Sequence, residues 1–223
     1  MKKPIKKVII INGFDEVGKN DFVERIIEET IKMAKRIVPI ENGDYCVNPR
    51  IYYKTNNVSI IDCVKVAARV FGWNGEKSEK DKKMLSDLKD LMMAYNNYPF
   101  KHITAQISDW LRYDKTRPND MYDHSFLFVH CKEPKEIERL KNLFPNDTFT
   151  LLVQNPKVVK VTNNHVDREV ENYNYDFIVV NDSDLTALRK VAIDFYKKIF
   201  IQGFTKYKFV ASDYGFSPNE WND

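Results

Sequence analysis

Nine residues, GFDEVGKND (13–21), hold the densest chemistry in the chain. Two glycines and the lysine after the second form the frame G-x-x-x-x-G-K. In such a frame the glycines let the backbone curl so that its N–H groups surround a phosphate. The start of a helix adds its dipole. Gly13 and Gly18 supply the curl, and Lys19 has the reach for the β and γ phosphates of a nucleotide. Phe14, Asp15, Glu16 and Val17 fill the loop between them. Asn20 stands where a phosphate loop usually places a hydroxyl on magnesium, and its amide oxygen can ligate that ion instead. Asp21 follows, where a second hydroxyl is common.

The acids set the problem. A carboxylate 4 Å from a phosphate charge costs roughly 4 kcal/mol at an effective dielectric of about 20, on the order of a thousandfold in affinity. Magnesium or outward rotation of Asp15 and Glu16 reduces that cost. In a third arrangement the two side chains occupy the anion site themselves by bonding helix N–H groups.

Such a loop must lie between a strand and a helix. KVIIIN (7–12) is a β-branched run suited to a central strand buried on both faces. After Lys19, the residues Phe22, Ile26, Ile27, Ile31 and Ala34 form one helical stripe. RIYYKT (50–55), SFLFVH (125–130), FTLLVQ (149–154) and DFIVVN (176–181) read as further strands. Helical patterns run from Asp62, over 79–95, 100–113, 133–144 and 185–200. Strands alternating with helices predict a parallel sheet covered on both faces. Residues 59–113 are long for one crossover and predict a helical insertion over the sheet's ligand edge. Residues 1–200 then form one α/β domain, and 201–223 an aromatic tail. The tail packs either on the domain's own flank or on a second copy.

The chain has 223 residues, 43% hydrophobic and 30% charged, with net charge +3. That suits a soluble α/β domain and is too little charge for a nucleic-acid footprint. The apolar run after MKKPIKK is too short for a signal or membrane segment. Cys46, Cys63 and Cys131 are scattered, without zinc spacing or a disulfide framework. A reducing cytoplasm is the expected compartment.

With these elements in place, the chain resembles the P-loop kinases, and within them proteins similar to deoxynucleoside monophosphate kinases of phages and bacteria. The resemblance covers about residues 7–200. It rests on NGFDEVGKNDF, SIIDCVKVAARVFGWNGEKSEKDKKMLSDLKD, HCKEPKEIERLK and YDFIVVND. It implies a three-layer P-loop nucleotide kinase-like fold with a parallel five-stranded sheet in the order 2-3-1-4-5. It also implies transfer of the γ-phosphoryl group of Mg-ATP to a nucleoside monophosphate, and a lid over about residues 155–173. By position, Gly13, Gly18 and Lys19 match the phosphate loop, and Asn181 and Asp182 fall at the turn bordering the adenine. Arg168 is the candidate lid cation. The chain departs from the pattern at Asn20 and Asp21, and at Gln154 and Asn155, where arginines are common. Cys131, Lys132, Glu133 and Pro134 occupy the neighbourhood in which an arginine precedes a Glu-Pro pair.

Arg50 and Lys54 could meet an acceptor phosphate. Lys80, Lys82, Lys83 and Lys89 either line that pocket or form a solvated helix face. His130 ends a strand at the ligand edge, where sites form, and is otherwise a structural histidine.

Overall fold

The computed structural model describes residues 5–34, 37–39, 45–47, 53–76, 78–112, 124–159, 169–200, 203 and 206–214. Strand β1 (Ile5–Asn12) enters the loop, and α1 (Lys19–Ala34) leaves it. A small antiparallel hairpin follows, β2 (Ile37–Pro39) with β3 (Tyr45–Val47), which the sequence reading did not anticipate. Next come β4 (Tyr53–Ser59) and three helices, α2 (Asp62–Val70), α3 (Glu79–Asn96) and α4 (Tyr98–Leu111). The chain continues through β5 (His124–His130), α5 (Pro134–Leu143), β6 (Thr148–Gln154) and β7 (Phe177–Val180). It ends with α6 (Leu185–Phe200), β8 (Tyr207–Val210) and a 3-10 turn, Ala211–Tyr214.

The main sheet has the order β4-β5-β1-β6-β7-β8, all pairs parallel. Its first five strands reproduce 2-3-1-4-5. The expected count of five is corrected to six, because the tail adds β8 beside β7. The reason lies in KYKFV: Phe209 is buried against Phe195 at 5.5 Å, and Lys198 lies 3.8 Å over the Tyr207 ring. The described part of the tail thus packs on its own sheet edge.

β1 is central, with Val8 to Ile11 at most 1% exposed, as a strand covered on both faces must be. α1 and α6 lie on one face, joined by an edge-to-face contact of Phe22 and Phe195 at 5.2 Å. The chain crosses the sheet in opposite directions after β1 and after β7. The two crossovers therefore have opposite hands, and one departs from the right-handed rule. β4 runs on to Ser59, past the end of the expected 50–55 strand. It is an edge strand, so the polar Asn56 and Asn57 can face water within it.

The insertion is well capped. Ser78 and Asp81 form a reciprocal capping box at the start of α3. Asn97, at φ 59°, turns α3 into α4, whose first turn accepts Pro99. No helix of the described residues is long and apolar enough to cross a membrane.

Candidate functional site

β1 ends in Asn12, a fully buried side chain that ties three segments together. Its amide nitrogen donates to the Lys132 carbonyl (2.9 Å) and to the Tyr175 hydroxyl (2.7 Å), and its oxygen accepts from Gly13 N (2.7 Å). Tyr175 donates onward to the Val170 carbonyl at 2.7 Å. The loop's first residue is thereby fixed to the end of β5 and to the chain that returns before β7. Sequence reasoning missed Asn12. Its signal was a polar residue closing an apolar strand directly before the loop.

The glycines are required by contact as well as by conformation. Gly13 has φ +146°, and a Cβ there would lie 2.3 Å from the Val153 carbonyl oxygen. Gly18 has φ +96°, and its Cβ would lie 2.7 Å from the Asn181 amide nitrogen. Glu16 itself turns through the left-handed region at φ 63° and is exposed. The curl expected from the glycine spacing is present.

Lys19 opens α1 and reaches back across the loop, donating to the Gly13 carbonyl at 2.6 Å and to the Phe14 carbonyl. Its ammonium is therefore held beside the loop's first residues. Asp15 is exposed and does not lie free in water. It accepts from Lys132 at 2.8 Å, across from the end of β5. Burial alone would raise its carboxyl, but the bond and charge of Lys132, with Lys19 and Lys82 behind, outweigh that and hold it below the usual range. Lys82 of α3 reaches toward the same acids, although its first partner is Glu79 at 2.8 Å.

This pairing makes Lys132 the counter-ion of the loop. If the loop holds Mg-ATP, Lys132→Ala is expected to weaken that binding by roughly tenfold, less than the unscreened pair energy because the pair is solvated. Asp15→Asn in the Lys132→Ala background is expected to restore it. A calorimetric double-mutant cycle measures both. No recovery would show that Lys132 acts on the ligand directly and not through Asp15.

His130, the last residue of β5, sits beside Lys19, Asp62 and Lys65. Burial first, then the Lys19 charge, lowers its imidazole to about 4 from the ordinary 6.5. The native state thus refuses a proton that the unfolded chain accepts. Stability is full above the unfolded value near 6.5 and is lost as pH falls toward about 4, by roughly 3 kcal/mol. Denaturant titrations at several pH values should record that loss in the wild type and a much flatter profile in His130→Asn. Equal slopes would contradict the assignment. Asp62 beside it is committed, accepting from Ser59 N (2.6 Å) and from Lys65 (2.9 Å).

On the other side of the loop, Asn181 donates to the Val17 carbonyl at 3.1 Å, so this expected site residue meets the loop. Asp182 is instead bonded to Ser212 N (2.8 Å) and Ser212 Oγ (2.7 Å), bonds that hold its carboxyl low. It anchors the turn after β8. Between the loop and the ends of β6 and β7 lies a pocket of about 140 Å³, walled by Phe14, Val17, Pro156, Val158 and Val180. Gln154 and Glu171, hydrogen-bonded at 3.0 Å, provide its polar edge. Asn20 and Asp21 are exposed in the first turn of α1. Arg50 and Arg168 lie outside the described residues. Lys54 is placed in β4, paired in register with Ser125, and its side chain is likewise outside them.

Of the α3 lysines, Lys80, Lys82 and Lys83 are exposed, as a solvated face requires. Lys89 is not. It is 8% exposed and bridges Glu133 and Glu136 at the start of α5, the latter at 2.9 Å. Burial would lower its ammonium, but the Glu136 and Glu133 charges overcome that and raise it. Cys131 is buried against the same carboxylate. Among the described residues no three His, Cys, Asp or Glu side chains gather as a metal site.

No family model matches the chain, and no curated protein is similar to it in sequence. Among solved structures it is similar to the APS kinase CysC of Mycobacterium tuberculosis in complex with AMPPNP and APS. The identity is 11%, the TM-score 0.41, and the match covers 87% of this chain and 99% of that one. Thymidylate kinase from Ehrlichia chaffeensis matches at 10% identity and TM-score 0.30, over 95% of each chain. FlhF complexed with GMPPNP/Mg(2+) matches at 13% identity and TM-score 0.33, over 94% of this chain and 66% of that one. Scores of 0.30 to 0.41 assign neither family nor activity. The fold class rests on the chain's own topology: a parallel sheet in the 2-3-1-4-5 order, extended by one strand, with a glycine-framed loop and a lysine-headed helix after the central strand make it a P-loop kinase-like α/β fold.

Proposed function

We propose that the chain is an ATP-dependent phosphotransferase of the nucleotide-kinase type, holding the polyphosphate on the loop 13–21. One observation carries this reading. Asp15 is drawn 2.8 Å onto Lys132, while Lys19 stays over the Gly13 and Phe14 carbonyls. A loop plugged by its own acid would have that carboxylate on the helix N–H groups.

In this reading Lys19 neutralises the β and γ phosphates, and Gly13 and Gly18 shape the cradle. Asn20, exposed at the second residue of α1, fits as an amide-oxygen ligand for magnesium. Magnesium bound with the nucleotide would offset charge on the transferring group. The apolar pocket beside Val17 and Val180 suits a nucleobase, next to Asn181. Arg168 keeps the role of lid cation, and Arg50 and Lys54 that of acceptor contacts. The rival reading, a kinase fold kept for binding alone, draws on Asn20 standing where a hydroxyl is usual.

Calorimetric titration with ATP, with and without magnesium, tests the proposal. Magnesium-dependent binding in the micromolar range is expected. A folded protein that takes up no ATP at millimolar concentration sinks it. Bound ATP that is never turned over favours the rival.

A further inference from the structure

We propose that His130 is the proton acceptor for a hydroxyl-bearing substrate, so that the site beside the loop takes an alcohol and not the phosphate group of a monophosphate. This rests on the phosphotransferase reading and names its acceptor class.

The placement comes from the sheet. His130 is in register with Ile11 of β1 and Ser59 of β4, at the carboxyl edge of the strand beside the loop. Lys19 faces it from α1, and Asp62 and Lys65 face it from α2. Among the described residues its ring nitrogens make no hydrogen bond, and the residue is half-buried. Neither nitrogen is committed to a structural bond within the described residues, so either is open to a proton.

The neighbours narrow the choice. Asp62 already accepts from Ser59 N and Lys65, and Lys19 and Lys65 are donors. The imidazole is the neutral acceptor among these four, while Asp62 is drawn onto Ser59 N and Lys65. An acceptor phosphate is already anionic and needs no base. A hydroxyl must lose its proton, and this is the step for which a neutral imidazole in this place is suited.

In the step, the acceptor oxygen bonds to the γ-phosphorus. The bond from that phosphorus to the β–γ bridging oxygen breaks, and a nucleoside diphosphate leaves. The hydroxyl proton passes to a His130 ring nitrogen and then to water. Phosphates at Lys19 offset the ammonium charge that otherwise opposes an imidazolium, so the ring becomes a better base when nucleotide is bound.

The test uses the full chain with Mg-ATP and two acceptor panels, the four deoxynucleosides and the four deoxynucleoside monophosphates. Phosphorus NMR identifies the bond formed. A new phosphomonoester is expected, made about 10²–10⁴-fold more slowly by His130→Gln, with ATP affinity unchanged within about twofold. The acidic limb of the wild-type rate profile should disappear in the variant. A phosphoanhydride product, no transfer product from bound ATP, or an unchanged rate in His130→Gln overturns the inference. The product bond is read on the wild type, so the result stands even where the variant folds poorly. Failure to bind Mg-ATP at all is a separate outcome, which removes the kinase reading itself and this inference with it.

Discussion

Lys89→Ala is expected to destabilise the folded chain by roughly 3–5 kcal/mol at neutral pH, the cost of stranding buried carboxylates without their cation. Lys89 lies on α3, yet its ammonium is enclosed with Glu133 and Glu136, and Glu136 is only 2% exposed. One oxygen of Glu136 already lacks a hydrogen-bond partner, so nothing in place can take over from the lysine. The loss should shrink on acidification. Without Lys89, burial leaves the folded Glu136 with a raised pKa, and a native state that gains a proton regains stability as pH falls. Pairing the change with Glu136→Gln should recover part of the loss at neutral pH. Urea unfolding at two pH values measures this. A loss under about 1 kcal/mol would mean that the carboxylates reach water. The variant should also bind nucleotide more weakly, because Cys131 to Glu133 join this cluster to Asn12 and Lys132.

Lys19→Ala is expected to lower Mg-ATP affinity by about a hundredfold or more while leaving the fold intact. In the absence of ligand the lysine bonds carbonyls of its own loop, Gly13 and Phe14, in part-buried contacts. Its removal therefore costs on the order of 1–3 kcal/mol of folding energy, which leaves a folded chain. With a polyphosphate present it becomes a charge-assisted donor close to several oxygens, and each such bond contributes about 1.5–3 kcal/mol. Circular dichroism should be unchanged and the calorimetric affinity lost. Equal affinity in variant and wild type would place the nucleotide elsewhere.

The parts legible in the sequence were those set by local pattern. A β-branched run buried on both faces announces a central strand, and glycines at fixed offsets announce a loop whose backbone must curl. Non-local partners were not legible. Asp15 and Lys132 are 117 residues apart, and Asn12 and Tyr175 are 163 apart. A sequence window that contains one cannot contain the other. The loop acids thus looked damaging until the end of β5 supplied a cation. Lys89 shares a helical face with Lys82, seven residues earlier, and pattern alone gives both the same exposure. α5 covers one end of that face and leaves the other open. The end of β4 was missed in the sequence because an edge strand needs no apolar alternation on its solvent side. β8 was missed because its four residues form a strand only against an edge that β7 and Phe195 provide.

The central claim is that this loop grips phosphate although it carries two acids. The most direct measurement is the backbone amide spectrum of the full chain during titration with Mg-ATP. The account predicts large, saturable shifts at Gly13 and at Val17 to Asn20, with a smaller response at Lys132 as Asp15 rearranges. Saturation with nucleotide that leaves those amides unmoved, or no response at millimolar Mg-ATP, would contradict it.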